Sequence, residues 1–209
     1  MKHNPESVLE ASLLSCSRGD NLLFENLNFS IKAGEIHQIQ GVNGAGKTSL
    51  LRILCGLSQP ESGSLSWKGQ NIEQQREEYC GDLLFIGHQN GIKSELTPTT
   101  NLVSFTSIHG SVENPDIESI LNSVGLYGHE NTPCRFLSAG QKRRVAIARL
   151  YLSTAQLWIL DEPITALDVE GIEKFQHRLE EHANQGGMVI LTSHQDLQFG
   201  GVSARSITL

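Results

Sequence analysis

The sequence predicts an α/β fold on a mainly parallel sheet, and three observations predict it. A glycine-rich octet, Gly41-Val42-Asn43-Gly44-Ala45-Gly46-Lys47-Thr48, joins a short strand pattern to a helical one. Two apolar runs, Leu157-Trp158-Ile159-Leu160 and Met188-Val189-Ile190-Leu191, have the length and composition of buried strands. A helical pattern from about 170 to 185 separates those runs, and strands alternating with helices favour parallel pairing.

Taken in order, the first strand is expected to close at Cys16. Leu27, Phe29 and Ile31 alternate with polar residues, as a half-buried strand requires. Ala33-Gly34 is a turn, and Glu35 to Gln40 is a short strand. Residues 47–57 carry apolar positions at 50, 51, 53, 54 and 57, a helical period that stops at a glycine. Short strands are expected at 64–67 and 82–87. From about 90 to 155 the pattern turns helical. Thr97-Pro98 supplies an N-cap with proline at the first helical position. Asn114-Pro115 offers a second helix start. Ser138 offers a third, with Val145, Ala148 and Leu152 on one face. The expectation is one domain over residues 1–209, with the helical part at about 90–155 inserted into the α/β core.

Composition narrows the function classes. Asp and Glu outnumber Lys and Arg by 23 to 16, giving a net charge of -7. Affinity for phosphodiester backbones comes mostly from Lys and Arg, so a nucleic-acid partner is not expected. Hydrophobic residues make up 38% and there are 20 glycines, a composition that suits a folded chain. Apolar runs reach about four residues where a spanning helix needs roughly 20. No apolar stretch precedes Glu10, so no signal peptide is expected. Cys16, Cys55, Cys80 and Cys134 form no CxxC pair and read as reduced thiols.

The octet 41–48 is GxxxxGK[ST] in the strand–loop–helix context that motif requires. Its glycines let the backbone curl so that N–H groups converge on phosphate oxygens, and the next helix adds its positive end. Lys47 would bridge the β- and γ-phosphates, and the Thr48 hydroxyl would ligate Mg²⁺. Gly41, Val42, Asn43, Gly44, Ala45, Gly46, Lys47, Thr48 and Ser49 are therefore the candidate ATP-binding residues. The apolar run Leu157-Trp158-Ile159-Leu160 ends in Asp161-Glu162. Asp161 suits Mg²⁺, and Glu162 at the strand tip would orient and polarise the attacking water.

Further features narrow this reading. Leu137-Ser138-Ala139-Gly140-Gln141 resembles the LSGGQ signature of ABC-type ATPases, with alanine third. Gln89 stands where that family has its Q-loop glutamine. Ala166-Leu167-Asp168, after Asp161-Glu162-Pro163, resembles the D-loop, and His194 stands at the switch histidine. Kinases and small GTPases with the same phosphate loop lack this ordered set, which covers essentially the whole chain. Lys142-Arg143-Arg144 by itself reads as a solvated helix face, and that reading is kept for Lys142.

The resemblance implies a P-loop fold with a RecA-like core sheet, an N-terminal antiparallel β region and a helical subdomain. It implies a head-to-tail dimer in which ATP lies between the phosphate loop of one copy and the signature of the other. Ser138, Gly140 and Gln141 would meet the partner's nucleotide at a helix N-terminus. Glu162, His194 and Gln89 would act at the γ-phosphate, with Thr48, Gln89 and Asp161 around Mg²⁺. The family places an aromatic about 16 positions before the Gly34-Glu35 pair to stack on adenine; here that position is Arg18. Its guanidinium could stack on the base, or the adenine is held weakly.

The segment Ile86 to Thr97 resembles the ATP-binding subunits of bacterial cytochrome c maturation (haem exporter) systems. So do Leu157 to Pro163 and Gly186 to Gln195. That resemblance implies a peripheral subunit on the cytoplasmic face of the bacterial inner membrane. It would be paired with an integral membrane subunit and a second ATP-binding subunit, and would couple ATP hydrolysis to haem export or haem-chaperone release. No CxxCH occurs, so no direct haem contact is required. Asn90 to Leu96 is the candidate contact with the membrane subunit, against the plainer reading of a surface loop. Two alternatives stay open: an ABC ATPase for another substrate, and a nucleotide-dependent regulatory module with little turnover.

Overall fold

The computed structural model describes residues 8–109, 112–195 and 197–209. Two sheets form. β1 (Leu9–Arg18) pairs antiparallel with β2 (Asn21–Ile31) on one edge and β4 (Ser62–Trp67) on the other, and β5 (Gln70–Asn71) lies outside β4. The second sheet comprises β3 (Glu35–Gln40), β6 (Leu83–Ile86), β7 (Leu157–Leu160), β8 (Met188–Thr192) and β9 (Ser203–Thr208). Its order is β6-β7-β8-β3-β9, and every pairing is parallel. The expected α/β core and the antiparallel N-terminal sheet are both present. β9 has no counterpart among the expected strands. Its sequence, SARSIT, is mostly polar because it is an edge strand that buries only Ile207.

Two apolar clusters explain why β7 and β8 read as unbroken hydrophobic runs. Trp158 and Leu160 of β7, with Val189 and Leu191 of β8, point into one cluster. Leu157 and Ile159, with Met188 and Ile190, point into the other. Strands buried on both faces lose the polar alternation of half-buried ones. The second cluster is shared with β1, β2, β4 and helix α1 (Lys47–Leu54). The first is shared with α3 (Pro98–His109), α4 (Ile117–Ser123), α5 (Ala139–Ala148) and α6 (Val169–Asn184). Short α2 (Arg76–Gly81) precedes β6.

Helix boundaries shift from expectation where capping decides. α1 ends at Leu54 rather than 57, because Gly56 adopts φ +65° and turns the chain away. Thr97 caps α3 as its sequence suggests, its Oγ1 accepting from the Thr100 N–H at 3.1 Å. The helix placed at Asn114-Pro115 starts later, because Asp116 is the residue that caps, accepting from the Ser119 N–H at 3.0 Å. Ser138 caps α5 in a full capping box with Gln141. Val145, Ala148 and Leu152 are all buried, but so are Arg143, Ala146 and Ile147, so α5 is enclosed on more than one face.

Candidate active site

Parallel pairing brings the C-terminal ends of β3, β6, β7 and β8 to one edge of the sheet. The phosphate loop follows β3, Gln89 follows β6, Asp161-Glu162 follows β7 and His194 follows β8. Such an edge is where α/β sheets bind ligands.

In the loop, Gly46 is the N-cap of α1 with φ +101°. A Cβ there would meet Leu23 Cβ at 3.0 Å and the Phe24 ring at 3.2 Å. Glycine is therefore required twice, for its backbone and for its space. The Lys47 ammonium donates to the carbonyls of Gly41 at 2.7 Å and Val42 at 3.2 Å. It bends back over the loop whose N–H groups would face phosphate. Arg18 is exposed at the end of β1, paired with Asn21 across the hairpin. Phe24, the nearby aromatic, is only 7% exposed and lies under Gly46, so it offers no stacking face.

Asp161 is buried, 4% exposed. Its Oδ1 accepts from Thr192 Oγ1 at 2.8 Å, and its Oδ2 lies 3.5 Å from Thr48 Oγ1. Thr192 Oγ1 in turn accepts from the Glu162 N–H at 2.9 Å. Glu162 adopts φ +47°, a left-handed conformation that costs a non-glycine residue about 1 kcal/mol or more. Pro163 contributes by disfavouring right-handed helical backbone at the residue before it. The Glu162 carboxylate meets His194, Oε1 to Nε2, at 3.0 Å. Buried Gln38 of β3 steadies the chain after that histidine by donating to the Gln195 carbonyl at 2.9 Å.

Gln89 is exposed on the segment after β6. Gly140 comes close to the loop after Glu162: a Cβ there would lie 2.5 Å from the Ala166 carbonyl oxygen. This close approach accounts for the glycine independently of any phosphate contact. Asp168 caps α6 through the Gly171 N–H and meets Arg144 at 2.7 Å. Both hold its carboxyl below the usual range, the backbone bond first.

Three residues at this edge escaped sequence reasoning. Thr192 and Gln38 are polar positions in buried strands, and that mismatch was the available signal. Arg143 lies on α5 one turn before Ile147, and this spacing puts it on a buried face. Lys142 stays partly exposed.

Residues 24–165 match the ABC transporter family. The chain belongs to this family. Curated ABC relatives include the cytochrome c biogenesis ATP-binding export protein CcmA of Yersinia pestis, 52% identical over 202 residues, covering 97% of this chain and 93% of that one. The protein of the same name in Vibrio vulnificus (strain YJ016) is 50% identical over 203 residues, covering 97% and 99%. Among solved ABC structures, a putative ATP-binding protein from Pyrococcus furiosus is similar at TM-score 0.82 and 26% identity, covering 96% of this chain and 98% of that one. The cbiO1 protein of Clostridium perfringens, described as part of the ABC transporter complex cbiONQ, is similar at TM-score 0.72 and 25% identity, over 91% and 79%. The loop 41–48 and the strand-end acids thus lie on one edge of the parallel sheet of an ABC ATPase fold.

Proposed function

We propose that this chain is the ATP-binding and hydrolysing subunit of a membrane ABC complex in c-type cytochrome biogenesis, coupling ATP hydrolysis to haem export or haem-chaperone release. The names of its relatives support the pathway. The carrying observation for hydrolysis is the Glu162 carboxylate, held at the sheet edge beside Asp161 and oriented by His194. One ATPase cassette over residues 1–209, with its helical part at about 90–155, is the domain reading that goes with this.

Gly41 to Ser49 would hold the phosphates of ATP, Lys47 exchanging its loop carbonyls for β- and γ-phosphate oxygens. The Thr48 hydroxyl and the Asp161 carboxylate, 3.5 Å apart, are hard oxygen donors that suit Mg²⁺, and Gln89 would complete the set. These residues would hold the ion where its charge would offset that of the ATP phosphates. Glu162 would accept a proton from the attacking water while His194 fixes its orientation. Arg18 would lie against the adenine. Ser138, Gly140 and Gln141 would present the α5 N-terminus to ATP held by a second copy of the chain, so one chain carries two half-sites.

No helix among the described residues is long and apolar enough to cross a membrane. An integral membrane subunit would therefore carry the transport path, with this chain peripheral on the cytoplasmic face of the bacterial inner membrane. Asn90 to Leu96 is the proposed contact. It borders an open groove of about 440 Å³ whose lining includes Leu57, Phe85, Lys93, Phe105 and Ile108. Neither nucleic acid nor direct haem contact enters this reading.

The test is ATP turnover by the purified membrane complex, wild type against Glu162→Gln. Turnover should fall about 100-fold while ATP still binds. Equal turnover would remove Glu162 as the base. No turnover in either form would favour a regulatory module. Co-purification with a membrane subunit serving a different substrate would redirect the pathway.

A further inference from the structure

Arg143 is 4% exposed, and its guanidinium makes four hydrogen bonds. Nε donates to the Pro163 carbonyl at 3.0 Å and Nη2 to the Asp161 carbonyl at 2.8 Å. Nη1 donates to the Gly87 carbonyl at 2.9 Å and to Asn90 Oδ1 at 3.1 Å. The first two partners flank Glu162 in sequence, and the other two flank Gln89. One planar group on the signature helix thus clamps the chain on both sides of two residues at the reacting phosphate.

The arrangement has a physical reason. Glu162 needs a left-handed backbone that its side chain disfavours. The Thr192 bond to its N–H fixes only one end of that turn. Arg143 fixes the carbonyl before Glu162 and the carbonyl after it, which sets the direction of its carboxylate. Burial pushes the guanidinium pKa down, and the nearby Asp161 and Glu162 charges oppose that shift. The cation is therefore compensated by the acids it positions, while its hydrogen bonds go to backbone carbonyls and Asn90 rather than to their carboxylates. Arg149, at the end of the same helix, extends the clamp by donating to the carbonyls of Asn90 at 3.2 Å and Gly91 at 2.6 Å.

We infer that Arg143 is a positioning residue for hydrolysis, which sets Glu162 and Gln89 from the signature helix and leaves ATP affinity to the phosphate loop. This rests on the proposed role of Glu162. A lysine cannot replace it, because one ammonium cannot span four acceptors held in a fork.

The test uses the purified membrane complex carrying Arg143→Met, with ATP affinity and turnover measured separately. Turnover should fall about tenfold or more, with affinity within about twofold of wild type. Arg143→Met added to Glu162→Gln should lower the residual turnover by less than about twofold, because both changes disable one unit. A folded Arg143→Met complex with wild-type turnover overturns the inference, as does a further tenfold loss, roughly, on the Glu162→Gln background. If Arg143→Met fails to fold, Arg143→Lys is read the same way. A loss of about threefold or more at unchanged affinity supports the inference, and wild-type turnover overturns it. Failure of Glu162 itself is distinguishable, since Glu162→Gln alone would then turn over normally.

Discussion

Arg18 shows how much one side chain can carry. It stands exposed at the tip of the β1–β2 hairpin, while the neighbouring aromatic, Phe24, is committed to packing under Gly46. If the guanidinium stacks on adenine, an aromatic ring at the same place serves equally. Arg18→Tyr should therefore leave the Kd for ATP equal or lower in equilibrium titration. A rise of about tenfold, or 1.4 kcal/mol, would remove the stacking role. The candidate nucleotide residues stand out in the sequence because the proposed chemistry demands fixed spacing, as in Gly41 to Thr48. Thr192, Gln38 and Arg143 do not. Each is a polar residue that folding buries, and only the partners it meets in space give it a role.

The segment between β6 and α3 is ordered by side chains from elsewhere. Buried Asn101 of α3 accepts from the Lys93 N–H at 2.8 Å and donates to the carbonyls of Lys93 at 3.1 Å and Thr97 at 3.0 Å. Lys93 and Glu95 themselves are exposed. Glu95 pairs with Arg135 at the surface, and such exposed pairs contribute about 0–1 kcal/mol, so reversing it perturbs the fold little. Lys93→Glu combined with Glu95→Lys should abolish co-purification with the membrane subunit while leaving ATP binding intact. If both survive, the contact lies elsewhere. The capping signal at Thr97-Pro98 was readable because caps are local. Asn101 was not, since an asparagine in a helix reads as solvated until the loop it holds is seen.

At the scale of the whole molecule, His182 ties stability to pH. Its ring stacks on Trp158 at 3.6 Å between centroids, and a side chain at Gly187 would collide with it. Burial first, then the nearby Arg178 charge, pushes its pKa down to about 4 from the ordinary 6.5. The unfolded chain therefore takes up a proton before the folded one does. This contribution is complete above pH 6.5 or so and is lost as pH falls toward about 4, up to about 3 kcal/mol. His182→Phe keeps a stacked ring and removes the titration. Denaturant melts at pH 7 and pH 4.5 should show a smaller acid loss for the variant than for wild type. An identical loss would contradict the assignment.

The sequence by itself determined the fold class, the phosphate loop, the strand-end acids and the order of the ABC motifs. These depend on local periodicity and on spacings that chemistry fixes along the chain. Only the tertiary structure decided that β9 closes the sheet edge, because an edge strand burying one residue leaves no hydrophobic pattern. It also showed Gly140 making room for the Ala166 carbonyl. Most of all, it turned Arg143 from part of a basic run into a buried clamp on the segments of Gln89 and Glu162. Hydrogen bonds between residues far apart in the chain exist only once the sheet and the helical region have closed on each other.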